Sequence, residues 1–535
     1  MSIGSRRADS VSHPDEADRL FQQGLQALRA QDPLTAKRLA HAALQADPRH
    51  AGSYALMGVA RATCSDHAEA LPWLLHAVQL APRQAQYHYN LGAVHDALAQ
   101  WPAAMRSYRR TLALQPGHVQ ARSNLADLLR RHGRLAEALA HFETLQRTAP
   151  DAPGLPFKLA LTYQALKRDD LAEPLFRQAL HTDAEHDLVQ WGYAHLLLLK
   201  KRFAPGWAAY EHRSACARFN GVHHFPHRQP LWGGEPLHGK TVLIHREQGL
   251  GDEIMFGSLI AAATADAARV LVVAAPALVR LWQHTLGTQN RPTDRVQVGP
   301  DWGAQPPLWD QPPPPAWLAQ YPVDYQCPMG RLAYLTRPTL ASFGTPQASL
   351  AVPDELVRHW CEVMDAALPS TSLRRPPRVG VMWAAHPSTH SFDGARRAQR
   401  KNMPLPHWLP LAQHFPNVQL ISLANTEHAA QITSVPGLRL ADFSGQLHDL
   451  ADTAALMKNL DLVITIDTSV AHLAGALGLP VWVLLCWDAD WRWGEHDCHS
   501  HWYPQMRLLR QHSAGDWAPV VQTLVEDLRA WVQSH

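Results

Sequence analysis

An apolar run at 461–466 ends on Asp467, Thr468 and Ser469 and passes into Val470-Ala-His472-Leu-Ala-Gly-Ala-Leu-Gly478-Leu-Pro480. The pattern predicts a strand that delivers an acid and two hydroxyls to the carboxyl edge of a parallel sheet, where ligands of open α/β sheets bind. A helix from about Val470 to Leu477 starts at that edge. The unpaired N–H groups of its first turn and its positive dipole end suit a diphosphate. Ala471, Ala474, Gly475, Ala476 and Gly478 let the helix lie close on the sheet, and Pro480 leads into a further apolar strand. The same residues also suit an ordinary buried αβ connection with Thr468 or Ser469 as its N-cap.

Three more stretches carry side chains with chemical potential. In REQGLGDEIMF, residues 246–256, Gly249 and Gly251 form a strand-to-helix turn that lets backbone approach a ligand without a Cβ in the way. Asp252 follows at the helix start. A carboxylate there is ionised at neutral pH and gains basicity on burial, as a general base requires. A first-turn acid favoured by the dipole is the plainer account of that residue, and Glu253, about 100° round the helix, ranks behind it. In residues 378–408 a strand ending at Trp383 leads into a polar loop with Arg396, Arg397, Arg400 and Lys401. Cations there would stabilise the charge on a departing diphosphate. In residues 487–511, Asp490, Trp491, Arg492, Trp493, Trp502, Tyr503 and Pro504 form a loop beyond a strand end. It suits either stacking on a nucleotide or sugar ring or a structural cluster sealing the C-terminal half.

The run from Asp467 to Pro480 resembles the nucleotide-sugar motif of the heptosyltransferase-like glycosyltransferases of family nine. DWRW at 490–493 and WYP at 502–504 resemble elements of repeat-fused proteins of that family. The resemblance spans about 240–530 and implies a metal-independent, inverting enzyme of the two-domain GT-B type. Carried over by motif, Asp252 is the catalytic base, and Arg400 and Lys401 match the basic pair before a Pro-Leu step that holds phosphates. Asp467, Thr468, Ser469, Val470 and His472 bind the donor. Gly249, Gly251, Trp383, His386, Trp491 and Arg492 are candidate substrate contacts. The chain departs from the family pattern at Ser469, where many members carry Gly, and at Ala385-His386, where Gly-Asn is usual. The resemblance implies no cofactor and no metal, the nucleotide-diphosphate sugar being a substrate. No Walker-type loop, HExxH or GxSxG occurs, and no acid-x-acid metal motif is expected at a strand end.

The elements that must position these residues belong to a chain of 535 residues, too long for one ordinary domain. Lys and Arg number 49 against 47 acids, a formal charge of +2, so no global field draws nucleic acid or anionic membrane. Six cysteines without CxxC spacing fit a reducing compartment rather than a disulfide frame or structural zinc. The 33 histidines fall mostly singly in polar or helical contexts and read as solvated. The N-terminus lacks an apolar leader core and no apolar run nears the length of a membrane span, so a soluble cytoplasmic protein without a transmembrane segment is expected.

Across the first two hundred residues Gly24, Gly58 and Gly92, Ala36, Ala70, Ala104, Ala138 and Ala172, and Pro48, Pro82, Pro116 and Pro150 recur every 34 residues, the tetratricopeptide period. Tyr54, Leu91, Tyr108, Leu125, Phe142, Leu159 and Phe176 fill the large inner positions. Five repeats cover about 17–186, and a degenerate sixth at 187–213 reads as a cap. The expected fold is an N-terminal all-α tetratricopeptide solenoid followed by a GT-B-like pair of Rossmann-type α/β domains. The boundaries are a disordered tail at 1–15, the solenoid with its cap at 16–220, a linker at 221–239, an acceptor-side half carrying the base at 240–370 and a donor-side half at 371–535. A long irregular loop at 301–322 reads as functional or disordered, and a last helix at about 517–533 as packing back across the halves.

Together these features imply a glycosyltransferase that moves a sugar from a nucleotide-diphosphate donor, ADP-heptose-like, to a protein acceptor such as a surface or flagellar one, held in the repeat groove. A lipid-linked or oligosaccharide acceptor is an alternative. So are repeats acting only as a dimer interface or spacer, a non-catalytic scaffold, and an O-linked transferase using UDP-N-acetylglucosamine.

Overall fold

The computed structural model describes residues 13–182, 187–216, 229–288, 295–301, 315–344, 348–368, 375–385 and 394–534. The chain forms two compact units, Met1–Thr182 and Asp183–His535. The loop expected at 301–322 lies mostly outside the described residues.

The first unit is a row of helix pairs: Pro14–Arg29 with Pro33–Ala46, Ala51–Thr63 with His67–Leu80, Ala85–Ala97 with Trp101–Leu114, Val119–Arg131 with Leu135–Thr148, and Leu155–Ala165 with Asp169–Thr182. Ala36, Ala70, Ala104, Ala138 and Ala172 are fully buried, because a methyl group is all that the close packing of a second helix leaves room for. The large inner residues are buried as well, except Tyr54, which is half-buried. The first helix begins at Pro14, so the tail expected to be disordered over 1–15 gives way to helix earlier.

A feature of the repeats without a residue-type signature lies between the helices of each pair. Gln31, Ser65, Ala99, Gly133 and Lys167 all adopt left-handed backbone, with φ between 56° and 74°. Only one of the five is glycine, and an L side chain in this region costs about 1–2 kcal/mol. Ala99→Gly is therefore expected to raise the unfolding free energy of the repeats by about 0.5–1 kcal/mol after the added flexibility of the unfolded chain is subtracted. A urea titration followed by circular dichroism checks this; a loss of stability would contradict it.

The second unit opens with another pair, Asp187–Leu199 and Phe203–Tyr210, whose turn at Lys201 has the same left-handed backbone at φ 59°. The repeat pattern assigns this pair to the solenoid as its cap. Its Phe203, Trp207 and Tyr210 instead join the core that also contains the α/β strands. The physical reason is what these side chains meet: they are buried against α/β residues, and the Trp207 indole N–H donates to the Arg337 carbonyl at 2.8 Å.

Two parallel sheets follow. In chain order the strands are β1 (Thr241–His245), β2 (Arg269–Ala274), β3 (Val296–Pro300), β4 (Tyr325–Pro328), β5 (Arg378–Met382), β6 (Gln419–Ser422), β7 (Ala441–Asp442), β8 (Leu462–Ile466), β9 (Val481–Leu485) and β10 (Met506–Arg510). The first sheet has the order β3-β2-β1-β4 and the second β10-β9-β8-β5-β6-β7. β1, β5, β8 and β9 are buried along their whole length, as strands covered on both faces must be. The strand order reverses beside β1 in the first sheet and between β5 and β8 in the second, and such switch points open crevices at the carboxyl edge. β4, β7 and β10 have no counterpart in the sequence expectations. The main contacts of the helix Ala518–Ser534, expected from the sequence to pack back across the halves, are with β10 and residues 405–414 of the C-terminal half. Among the described residues no helix is long and apolar enough to cross a membrane.

Candidate functional site

β1 runs into a loop that ends at Gly249, the N-cap of the helix Leu250–Gly257, where no side chain caps the first turn. A Cβ on Gly251 would lie 2.8 Å from Cδ2 of His472 and 3.5 Å from Cα of Ser469. Only glycine therefore lets this helix start meet the start of the helix Ser469–Ala476 that follows β8. The two switch points thus face one crevice, with Asp252 entering from one side and residues 467–472 from the other.

Thr465 of β8 pairs with Met382 of β5 and Val483 of β9, and two residues later Asp467 stands just beyond the sheet edge. Thr468 is the N-cap of the following helix, but its hydroxyl makes no cap hydrogen bond; it lies 3.3 Å from the hydroxyl of Thr465. No side-chain cap from Thr468 occupies the first-turn N–H groups, the kind of donors a helix start can offer to an anion. Further along, a Cβ on Gly475 would meet Cγ of Tyr503 at 2.4 Å. That close approach brings the Tyr503 hydroxyl to 3.3 Å from Nδ1 of His472. The His472 ring stacks on Trp493, with centroids 5.1 Å apart. Burial, with Arg492 nearby, pushes the imidazole down to about 3, so it is neutral at physiological pH and acts as a hydrogen-bonding group rather than a cation.

The charge in the crevice is carried by Lys401 and Arg492 against three carboxylates. Lys401 Nζ lies 2.7 Å from Asp467 Oδ2. Burial alone would depress the ammonium, but Asp467 and Asp490 outweigh it and hold its pKa above the ordinary value. Arg492 bridges the halves: one terminal nitrogen pairs with Asp252 and the other lies 2.5 Å from Asp490 Oδ1. Burial raises the Asp252 pKa above the usual carboxylate range, and the attraction of Arg492 and Lys401 offsets only part of this. Asp490 goes the other way; burial opposes its ionisation, yet Arg492 and Lys401 hold it well below the usual range.

The remaining sequence-selected residues take varied places. Arg400 is half exposed and pairs with Asp488. Ser469 is half-buried at the helix start and Val470 is buried behind it, while Gly249 is exposed at the loop. Trp383 is buried, its indole N–H donating to Gln431 Oε1 at 3.2 Å, so its ring is not presented to the crevice. Trp491 is also buried. Its ring carries the Arg492 guanidinium 4.5 Å from its centroid and meets Trp207 and Tyr210 edge-on at 5.3 and 5.9 Å, so it acts as a platform for Arg492. His386 lies outside the described residues, as do the side chains of Arg396 and Arg397. Glu253 turns away from Asp252: it accepts from Ala275 N–H at 3.1 Å and pairs with Arg246 at 3.0 Å.

One expectation needs correcting. Asp488-Ala-Asp490 is an acid-x-acid sequence immediately beyond β9, although none was expected at a strand end. Here its carboxylates meet Arg400 and Arg492. Asp490 is the site residue that the motif reading left without a role, and the spacing of two acids past an apolar strand is the signal that marks it.

The helix pair at 187–210 supports both sides of the crevice. The Tyr210 hydroxyl accepts from Gln248 Nε2 at 2.8 Å, and Arg213, just beyond the pair, binds Glu247 through two hydrogen bonds of 2.8 and 3.0 Å. Lys200 and Lys201 each reach a carboxylate of the C-terminal half, Glu495 and Asp497, at 2.7 Å. Elsewhere Arg280 crosses between the halves to Asp449 and Asp452 at 2.7 and 2.6 Å.

Comparison with known proteins gives two family matches, tetratricopeptide repeat over residues 89–153 and glycosyltransferase family 9 (heptosyltransferase) over residues 379–485. The second match runs from β5 to β9 and contains Lys401 and the 467–472 helix start. The chain is 26% identical over 595 residues to protein FlbA of Caulobacter vibrioides, covering 99% of this chain and 92% of that protein. It is 25% identical over 181 residues to anaphase-promoting complex subunit 3 of Schizosaccharomyces pombe, covering 34% of this chain and 27% of that protein. Among solved structures it is similar to a tetratricopeptide repeat protein from Parabacteroides merdae, at 17% identity, 38% of this chain, 80% of that chain and a TM-score of 0.33. It is also similar to pilF of Pseudomonas aeruginosa, at 19% identity, 38% of this chain, 97% of that chain and a TM-score of 0.33.

Proposed function

Because the chain joins tetratricopeptide repeats to a glycosyltransferase family 9 domain, we propose that it transfers a sugar from a nucleotide-diphosphate donor to a hydroxyl of a protein acceptor, with inversion and without a metal. The donor diphosphate lies against Thr468–His472 and Lys401 in a two-domain arrangement of the GT-B type. Asp252 is the base across the crevice. The acceptor oxygen attacks the anomeric carbon as the bond to the diphosphate breaks. The electron pair of that bond leaves on the phosphate oxygen, and the acceptor proton passes to Asp252.

The observation that supports this reading is the close approach of Gly251 to His472 and Ser469, which brings together two helix starts without side-chain caps, with Asp252 at one and the Lys401–Asp467 pair at the other. Growing charge on the leaving group is met by fixed N–H groups and by Lys401, partly removed from water, where such stabilisation is strongest. The repeats favour a protein acceptor, since stacked helix pairs form extended recognition surfaces. Six free cysteines fit a cytoplasmic setting.

The test is a panel of ADP- and UDP-linked sugars titrated against the full chain while Trp fluorescence is followed, then transfer of the bound donor's radiolabelled sugar to proteins of a lysate. Binding of one nucleotide class with labelling of a protein band supports the proposal. Binding without any labelled acceptor would leave a nucleotide-sugar-binding scaffold in its place. Lys401→Gln is expected to weaken donor binding about 10- to 100-fold, the cost of losing a charge-assisted phosphate contact in a partly desolvated site. Unchanged affinity would remove Lys401 from the donor site.

A further inference from the structure

Resting on the donor and base assignments just given, we propose that Arg492 is shared between the base and the donor: without ligand it neutralises Asp252, and when the diphosphate arrives it turns to the phosphate and frees Asp252 for the acceptor proton. The geometry supplies the argument. The guanidinium is one-ninth exposed at its side chain, at 11%, and rests on the Trp491 ring. Its two terminal nitrogens are committed to different carboxylates, Asp490 on its own loop and Asp252 on the opposite half. A guanidinium has five N–H donors in a planar fork that fits carboxylate and phosphate alike. It can keep Asp490 as an anchor while exchanging Asp252 for a phosphate oxygen.

Charge balance gives the reason for the exchange. The charged groups acting most strongly on Asp252 are Arg492 and Asp490 from the loop after β9 and Lys401 from the helix Gly394–Lys401. Tyr503 near β10 and Tyr210 from the helix Phe203–Tyr210 also sense its charge. His472, facing the same crevice, is neutral and adds no positive charge. Lys401 is already paired with Asp467. A diphosphate entering three carboxylates and two cations therefore needs Arg492 more than Asp252 does. The consequence is an order of events: the base is held by an ion pair until the donor is in place.

A double-mutant cycle on the full chain tests this, using ADP and UDP as probes and isothermal titration calorimetry at fixed ionic strength. In wild type the diphosphate competes with Asp252 for Arg492, so Asp252→Asn is expected to tighten binding of the preferred nucleotide about tenfold. In the Arg492→Gln background the same substitution is expected to change affinity by less than about twofold. Equal tightening in both backgrounds would mean simple repulsion between Asp252 and phosphate, and would overturn the exchange. Absence of tightening with Arg492 present would overturn it too. Binding of neither nucleotide to wild type or to Asp252→Asn would remove the donor site itself and the exchange with it, an outcome distinct from the other two. Arg492→Lys keeps a charge but only one donor head, and it carries the cycle should the Gln variant not fold. A coupling of about threefold is then expected, and none would overturn the exchange.

Discussion

Asp252→Asn is expected to lower the turnover of sugar transfer by about 10²- to 10⁴-fold while leaving the donor bound, the range that loss of a positioned general base costs. The substitution preserves shape and removes only the ability to take a proton. In wild type the rate is expected to fall as pH drops through the Asp252 pKa, and burial raises that pKa above the ordinary carboxylate value. The acidic limb of the profile therefore lies above pH 3.8, the ordinary carboxylate value, and disappears in the Asn variant. The sign for stability is opposite. A carboxyl whose pKa is raised by folding favours the folded state most when protonated, so its contribution is present at low pH and is lost as pH rises through the folded pKa. The Asn variant, neutral at every pH, is thus expected to melt no lower than wild type near pH 7. A lower melting temperature, or turnover within threefold of wild type, would contradict the role given to Asp252.

Arg213→Met is expected to destabilise the second unit by about 3–5 kcal/mol, the cost of leaving a buried carboxylate without its cation. The side chains of Arg213 and Glu247 are 2% and 4% exposed. Burial opposes the charge on Arg213, but Glu247 and Glu211 outweigh it and hold its pKa above the ordinary value. After the substitution, the contact that Glu247 retains is the Gly330 N–H, which it accepts at 2.7 Å. Combining Arg213→Met with Glu247→Gln removes the uncompensated charge and preserves an acceptor for Gly330, so most of the stability is expected to return. Thermal unfolding of the single and double variants measures both effects. Because Glu247 immediately precedes Gln248 and the Gly249 turn, the single variant is also expected to lose transfer activity. A single variant as stable as wild type would show that Arg213 does not brace the loop that carries Glu247 and Gln248.

The residue pattern alone determined the elements whose contacts are local. A small residue where two helices cross and a proline where the pair ends repeat every 34 residues, because each repeat solves the same short-range packing problem. β8, β9 and the helix between them were equally legible, since apolar strands and a run of small residues report their burial directly. β4 and β7 were not, for YQCP and AD carry no apolar run, whereas the equally short β6 lies within the apolar stretch 418–423. The left-handed turns at Gln31, Ser65, Ala99 and Lys167 escaped for another reason: the packing of the flanking helices imposes that backbone on side chains that would not choose it.

At the site, the strand-edge pattern marked the Asp467–His472 helix start, and the family resemblance marked Asp252 and Lys401. Only the tertiary structure decided that Arg492 pairs with an acid 240 residues away, that Trp491 is its platform, and that a helix pair read as the end of the repeats contacts the loop at Glu247 and Gln248. Sequence periodicity encodes what neighbours along the chain must bury, whereas an ion pair between two sheets depends on how the sheets meet, and that is fixed by the shape of their packed surfaces.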